Sequence, residues 1–130
     1  KGKSRPHVLE IPFEEATIFA GRNNLQNSWL THKMARRSDL WFHVKGYHGS
    51  HVILQSDDPT ESQIRMAAMI AAWFSKGKDS SSVPVDYTQV SQLKKVPGSK
   101  AGFVTMKSYR TIYIDPDPKT IEAILRKRKQ

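Results

Sequence analysis

Apolar and polar positions divide the chain into short strands arranged around one strongly periodic helix. Ile64, Ala67, Ala68, Ala71 and Phe74 recur at three- and four-residue steps, and Met69, Ile70 and Trp73 widen the stripe. This pattern predicts a helix running to about Ser75, largely buried against a sheet. Asp58 is its expected N-cap, with Pro59 first and Glu61 third, and Lys76-Gly77 ends it. Elsewhere the period is two. From Asp39 to Lys45, Leu40, Phe42 and Val44 point to a core, while Asp39, Trp41, His43 and Lys45 form an outer face. A second strand over 51–55 follows the glycine loop 45–50, giving a hairpin that gathers His43, His48 and His51 near one end.

The flanking segments are shorter. Val8 to Ile11 predicts a strand stopped by Pro12, and Ala16 to Ala20 another. Val83 to Tyr87 predicts a strand with Pro84 at its beginning or on an edge. Val90 to Lys95 reads as a short turn or helix. The segments 102–107 and 110–115 read as a hairpin joined around Ser108-Tyr109, and Asp117-Pro118 opens a last helix with Ile121, Ile124 and Leu125 on one face. The expected class is α+β: a mixed, mainly antiparallel sheet, one long buried helix packed on it, and shorter helices.

The stretch from Gly21 to Leu54 carries most of the candidate chemistry. Gly21-Arg22-Asn23-Asn24 is a turn, and Asn23 or Asn24 can cap a helix from Leu25 to about Arg36. Leu25, Trp29, Leu30 and Met34 would share its buried face, and Arg36 and Arg37 would close it where cations suit the dipole.

A length of 130 residues fits one domain, with 1–6 as a linker and 117–130 as the final helix and basic tail. The first residue is Lys, so the chain reads as part of something longer. Cysteine is absent, which excludes disulfides and thiol chemistry and fits a cytoplasmic protein. No apolar run is long enough to insert in a membrane, and no secretory signal pattern is present. The net charge of +9 is segregated. No acid lies between Glu15 and Asp39, where Arg22, Lys33, Arg36 and Arg37 stand. None lies between Asp86 and Asp115, where Lys94, Lys95, Lys100, Lys107 and Arg110 stand. Polyanions are the natural partners of such a distribution; lysines solvated on unrelated faces are the plain alternative.

The polar row admits two readings. In one, Trp41 caps the sheet edge, and His43 and His51 are hydrogen-bonded structural residues, the commoner fate of such side chains. In the other, Trp41, His43, His48 and His51 stack on or hydrogen-bond to bases, while Arg22, Arg36, Arg37, Lys45, Lys94, Lys95 and Lys100 meet phosphates. The glycine loop 96–102 could cradle a phosphate but lacks the ending and following helix of a Walker loop. His43, His48, His51 and Asp39 match no common structural zinc spacing. Ser50, His51 and Asp39 can be assembled into a triad only on paper, because no nucleophile or oxyanion motif accompanies them. Binding, with no cofactor and no catalysis, is the better-supported class.

The ordered run Gly21-Arg22-Asn23, Asn27, Asp39-x-Trp41-x-His43 and Gly49-Ser50-His51-Val52 resembles the NFACT-R domain, the RNA-binding module of the NFACT family. The loop from Lys94 to Gly102 resembles that family's second signature, with Ala101 where a Pro is common. The likeness covers nearly the whole chain. It implies that Asn23, Asn27, Asp39, Trp41, His43 and His51 belong to a nucleic-acid-binding surface, with tRNA and the rRNA of the large ribosomal subunit as partners. Family members act on obstructed large subunits during template-free C-terminal alanine tailing, through further domains; this module alone would bind RNA weakly and perform no tailing. Streptococcal members are also described as fibronectin-binding adhesins, which implies a second location at the cell surface.

Overall fold

The computed structural model describes residues 6–77, 79–99 and 103–129. Eight strands and three α-helices alternate along it. They are β1 (Leu9–Phe13), β2 (Ala16–Ala20), α1 (Asn24–Trp29), β3 (Leu40–Val44), β4 (Val52–Gln55), α2 (Glu61–Lys76), β5 (Val83–Gln89), β6 (Leu93–Lys95), β7 (Val104–Met106), β8 (Arg110–Ile114) and α3 (Pro118–Leu125). Six strands form one sheet in the order β1-β2-β4-β3-β5-β8, antiparallel at every pairing, and β6 and β7 form a separate ribbon. The α+β architecture expected from the sequence is the one observed.

Helix α2 lies across one sheet face. Ala67, Ala68, Ile70, Ala71 and Ala72 are buried against Ile18, Phe42, Val44, Val52, Leu54 and Val85, and Ile121 and Ile124 of α3 join the same core. The alanines let helix and sheet approach closely. The cap differs from the expectation. Thr60, not Asp58, caps α2, because Thr60 and Gln63 complete a reciprocal capping box. Gln63 also donates to the Glu14 carbonyl. That anchors the two-residue β1–β2 turn, whose Glu14 and Glu15 both take positive φ.

Three further expectations are corrected. Pro12 does not stop β1. It sits inside the strand opposite Thr17, and β1 is an edge strand that can spare a donor. β7 and β8 do not form a hairpin: β7 pairs with β6, and β8 crosses to β5. The helix after Gly21 is shorter than expected. Asn23 caps α1, a π-helical turn over Leu30–Met34 follows, and Ala35 is extended. The buried stripe is Asn27, Leu30 and Thr31, at ordinary helical spacing, so Leu25 falls on the opposite side and is 69% exposed.

The second sheet face is not open along its length. Leu30, Trp41 and Ile53 form a smaller core there, covered by Trp29, Met34, Val90, Leu93, Val104 and Met106. Trp41 is only 2% exposed, which overturns its expected place on an outer face. Period-two alternation cannot tell a solvated face from one covered by a second layer.

Candidate nucleic-acid interface

A groove of about 900 Å³ opens where this second layer stops. Trp41, His43 and His51 line it from the sheet, and Asn24 and Asn27 from α1. Gly46, Tyr47, His48 and Gly49 contribute from the β3–β4 loop, and Gly98, Ser99, Phe103 and Val104 from the ribbon. Among the described residues the lining contains no lysine, arginine or carboxylate. It is shaped for flat, polarisable, neutral groups, with amide and imidazole edges available for hydrogen bonding.

The three sheet rings pack on one another. Trp41 and His43 stack with centroids 5.5 Å apart, and His51 meets both edge-on at 5.1 and 5.5 Å. A buried hydrogen bond of 2.7 Å joins His51 Nδ1 to Thr31 Oγ1. Trp41 and His51 are both buried and therefore stiffen the wall of the groove. His43 is half-buried and His48 exposed, so these two imidazoles are the accessible ones.

A polar latch holds the loop in place. Buried Asn27 accepts from the His51 backbone N–H at 3.0 Å and donates to the Gly49 carbonyl at 3.2 Å. The Gly21 N–H donates to the His51 carbonyl at 2.9 Å. A Cβ at position 21 would overlap Asn27 Oδ1 and lie 2.9 Å from the Asn27 backbone nitrogen. A Cβ at 49 would overlap the Ser75 hydroxyl, which also accepts from the Ser50 N–H at 3.3 Å. These glycines are explained by close approach, not by turn conformation.

Electrostatics sets the character of the rim. Burial, then the neighbouring His48, lowers the His43 pKa, although Asp86 and a backbone hydrogen bond pull the other way. The ring is neutral at pH 7, in keeping with the 3.4 Å contact in which the Gly49 N–H donates to Nε2. Lys45 pairs with buried Asp86 at 3.0 Å, which raises its pKa, and lies 4.8 Å from the Tyr109 ring. The Lys76 ammonium stands 3.5 Å over Tyr47, whose hydroxyl pKa it lowers. Arg22 lies 4.5 Å over Phe74. Lys45, Lys76 and His48 thus border the loop end of the groove, whereas Arg22 lies over a ring packed on the main core.

The remaining cations are elsewhere. The Arg36 guanidinium is 3.1 Å from buried Asp39, whose other oxygen accepts from the Arg36 N–H and from Gln55, both at 2.8 Å. Asp39 is a structural anchor in this geometry, and Arg36 is its counter-ion. Exposed Asn23 spends its side chain on the α1 cap. Arg37 borders the 3₁₀ turn Val90–Gln92, whose Ser91 N–H donates to the Arg37 carbonyl. Lys94 and Lys95 are exposed on β6, three residues before Gly98 reaches the groove. Lys100 lies outside the described residues. Tyr47, Lys76 and Phe103 were not singled out by the sequence, since an exposed ring or a helix-end cation has no period, whereas Ser99 falls in the glycine loop 96–102 read as able to cradle a phosphate.

A profile described as the NFACT protein RNA binding domain matches residues 10–108. The chain belongs to the NFACT-R family. One similar protein is the "Rqc2 homolog RqcH" of Bacillus subtilis (strain 168), 50% identical over 124 residues, covering 92% of this chain and 22% of that protein. The protein of the same name from Streptococcus pneumoniae serotype 2 (strain D39 / NCTC 7466) is 46% identical over 108 residues, covering 82% of this chain and 20% of its own length. The chain thus spans about a fifth of the length of these relatives. In three dimensions it is similar to the C-terminal part of the fibronectin/fibrinogen-binding protein from Streptococcus suis, with a TM-score of 0.87 and 37% identity over 95% of this chain and 52% of that one. The residues that carry the NFACT-R resemblance fall mainly into two groups here: the groove and latch (Asn27, Trp41, His43, Gly49, His51) and the Asp39 anchor. Among the described residues no helix is long and apolar enough to cross a membrane, and no cluster of His, Asp or Glu could hold a metal ion.

Proposed function

We propose that this NFACT-R domain is the RNA-contacting module of a ribosome quality-control factor. It would hold tRNA or rRNA on obstructed large subunits during alanine tailing performed by the whole protein. The observation that carries this reading is the groove: a ring-lined cleft, uncharged among its described lining residues, whose loop end is bordered by Lys45, Lys76 and His48. Bases favour such a lining, and phosphates favour such a rim. The domain acts by binding, and its buried Asp39 and His51 serve structure. Arg37, Lys94 and Lys95 extend phosphate contact along the ribbon side.

The reading is tested by the salt dependence of binding to tRNA. With about five phosphates contacted, log K against log salt should slope by roughly −3.5 to −4.5. A flat response rejects the proposal. The likeness to the streptococcal fibronectin/fibrinogen-binding protein supports a second reading, an adhesin surface. Excess tRNA displaces fibronectin if the two share the groove and leaves it bound if they do not.

A further inference from the structure

Four large rings are left in solvent around one part of the surface: Tyr47 at 50% exposure, Phe103 at 55%, Tyr109 at 48% and Tyr113 at 64%. Two of them line the groove. The other two lie beyond it, and Lys45 connects the sets. Its ammonium is 4.8 Å from the Tyr109 ring, and it stands two residues before Tyr47. The Lys45 N–H donates to the Pro84 carbonyl, and Pro84 is registered opposite Tyr113. Thr111 and Tyr113 share a sheet face, two residues apart on β8, and Thr111 donates to Asp86, the partner of Lys45. Tyr113 is therefore on the same face as His43 and Lys45, roughly 10 Å across two strand spacings from Lys45.

This end of the face is uncovered. The smaller core includes no residue of β8. The carboxylates nearby are engaged: Asp86 by Lys45 and Thr111, and Asp115 by the Ser82 N–H. Lys107 lies two residues before Tyr109 and is exposed, while Arg110, registered opposite Tyr87, is on the other sheet face. Exposed rings beside cations suit ligands with open π-faces and negative charge, which an unpaired polynucleotide offers and a duplex hides.

We propose that a single-stranded RNA segment leaves the groove across this face, with one base beside Tyr47 and Phe103 and its neighbours stacked on Tyr109 and Tyr113. Lys45 and Lys76 lie against the intervening phosphates. This extends the RNA-binding reading and rests on it.

The test is fluorescence anisotropy with the 130-residue chain and two labelled RNAs, an unstructured pyrimidine oligonucleotide of about eight nucleotides and a blunt duplex. Each of Tyr109→Ala and Tyr113→Ala weakens binding of the single strand by roughly five- to tenfold and leaves duplex binding unchanged. Thermal melts confirm folding, which the exposure of both rings makes insensitive to these changes. If the double variant stays within twofold of the parent while Tyr47→Ala with Phe103→Ala weakens binding, the path is wrong and RNA binding stands. If the parent binds tRNA but neither of these RNAs, the single-strand path fails and the RNA-binding reading stands; if it binds no tRNA either, both fail. Tighter binding of the duplex overturns the single-strand assignment alone.

Discussion

Replacing Asn27 by Ala removes both ends of the latch at once. The His51 N–H, held at 3.0 Å, loses its acceptor, and the Gly49 carbonyl, held at 3.2 Å, loses its donor. An unsatisfied buried polar group costs about 1–3 kcal/mol. The His51 amide belongs near the top of that range because the residue is buried. The Gly49 carbonyl belongs near the bottom because the residue is only half-buried and lines the groove, where water reaches it. The sum is about 2–4 kcal/mol, which lowers Tm by on the order of 10 °C for a chain of this size. Differential scanning calorimetry gives the Tm, and amide hydrogen exchange at His51 locates the loss. Gly21→Ala should destabilise through the same contact, since its Cβ would meet Asn27. Combining the two substitutions should cost less than their sum, because the overlap with Oδ1 vanishes with the amide while the contact with the backbone nitrogen stays. An Asn27→Ala protein melting within about 3 °C of the parent, with His51 still protected, would refute the latch.

Other outcomes follow from the same structure. Asp39→Ala should destabilise by about 2 kcal/mol in urea titrations, since it strands the half-buried Gln55 amide and the Arg36 backbone N–H, whereas Arg36→Ala should cost at most about 1 kcal/mol because its side chain is mostly exposed. Equal costs would contradict the anchor role. Arg37→Glu should weaken tRNA binding with little change in melting, while Arg36→Glu should lower the melting temperature by setting a second acid against Asp39; filter binding beside melts separates the two. His43 and His32 both have pKa values lowered by burial. Above the unfolded value of about 6.5 both states are neutral and no stability is lost. Below it the unfolded chain takes up protons that the folded chain resists, so stability falls as pH drops from about 6.5. His43→Asn should flatten the chemical-denaturation profile between pH 7 and 5; an unchanged slope would place the loss elsewhere.

The sequence made some features visible and hid others for identifiable reasons. Helix α2 was legible because its apolar stripe is long and unbroken, and its Gly77 end because φ there is positive. The antiparallel pairing of β3 with β4 followed from alternation and a glycine-rich loop. The separation of β7 from β8 was not legible, because strand pairing beyond a hairpin depends on which layer each apolar face can cover. Trp41 was misplaced for a related reason: the second layer over it is assembled from Leu30, Leu93, Val104 and other residues distant in sequence. The imidazole cluster was foreseen as a gathering of His43, His48 and His51 at one end of a hairpin. Which of these rings stays accessible depends on Thr31, and nothing in the residue order announced that hydrogen bond.

The π-helical turn and ribbon that bury Trp41 also divide the groove into two mechanical classes. Its base is core material, so any change there alters how well the whole molecule holds together. Tyr47, Ser99 and Phe103 stand on loops and a short ribbon, where substitution leaves the fold nearly indifferent. Ligand preference can therefore drift rapidly along the upper edges while the foundation stays fixed, and paralogous modules should diverge in their side walls before their floors.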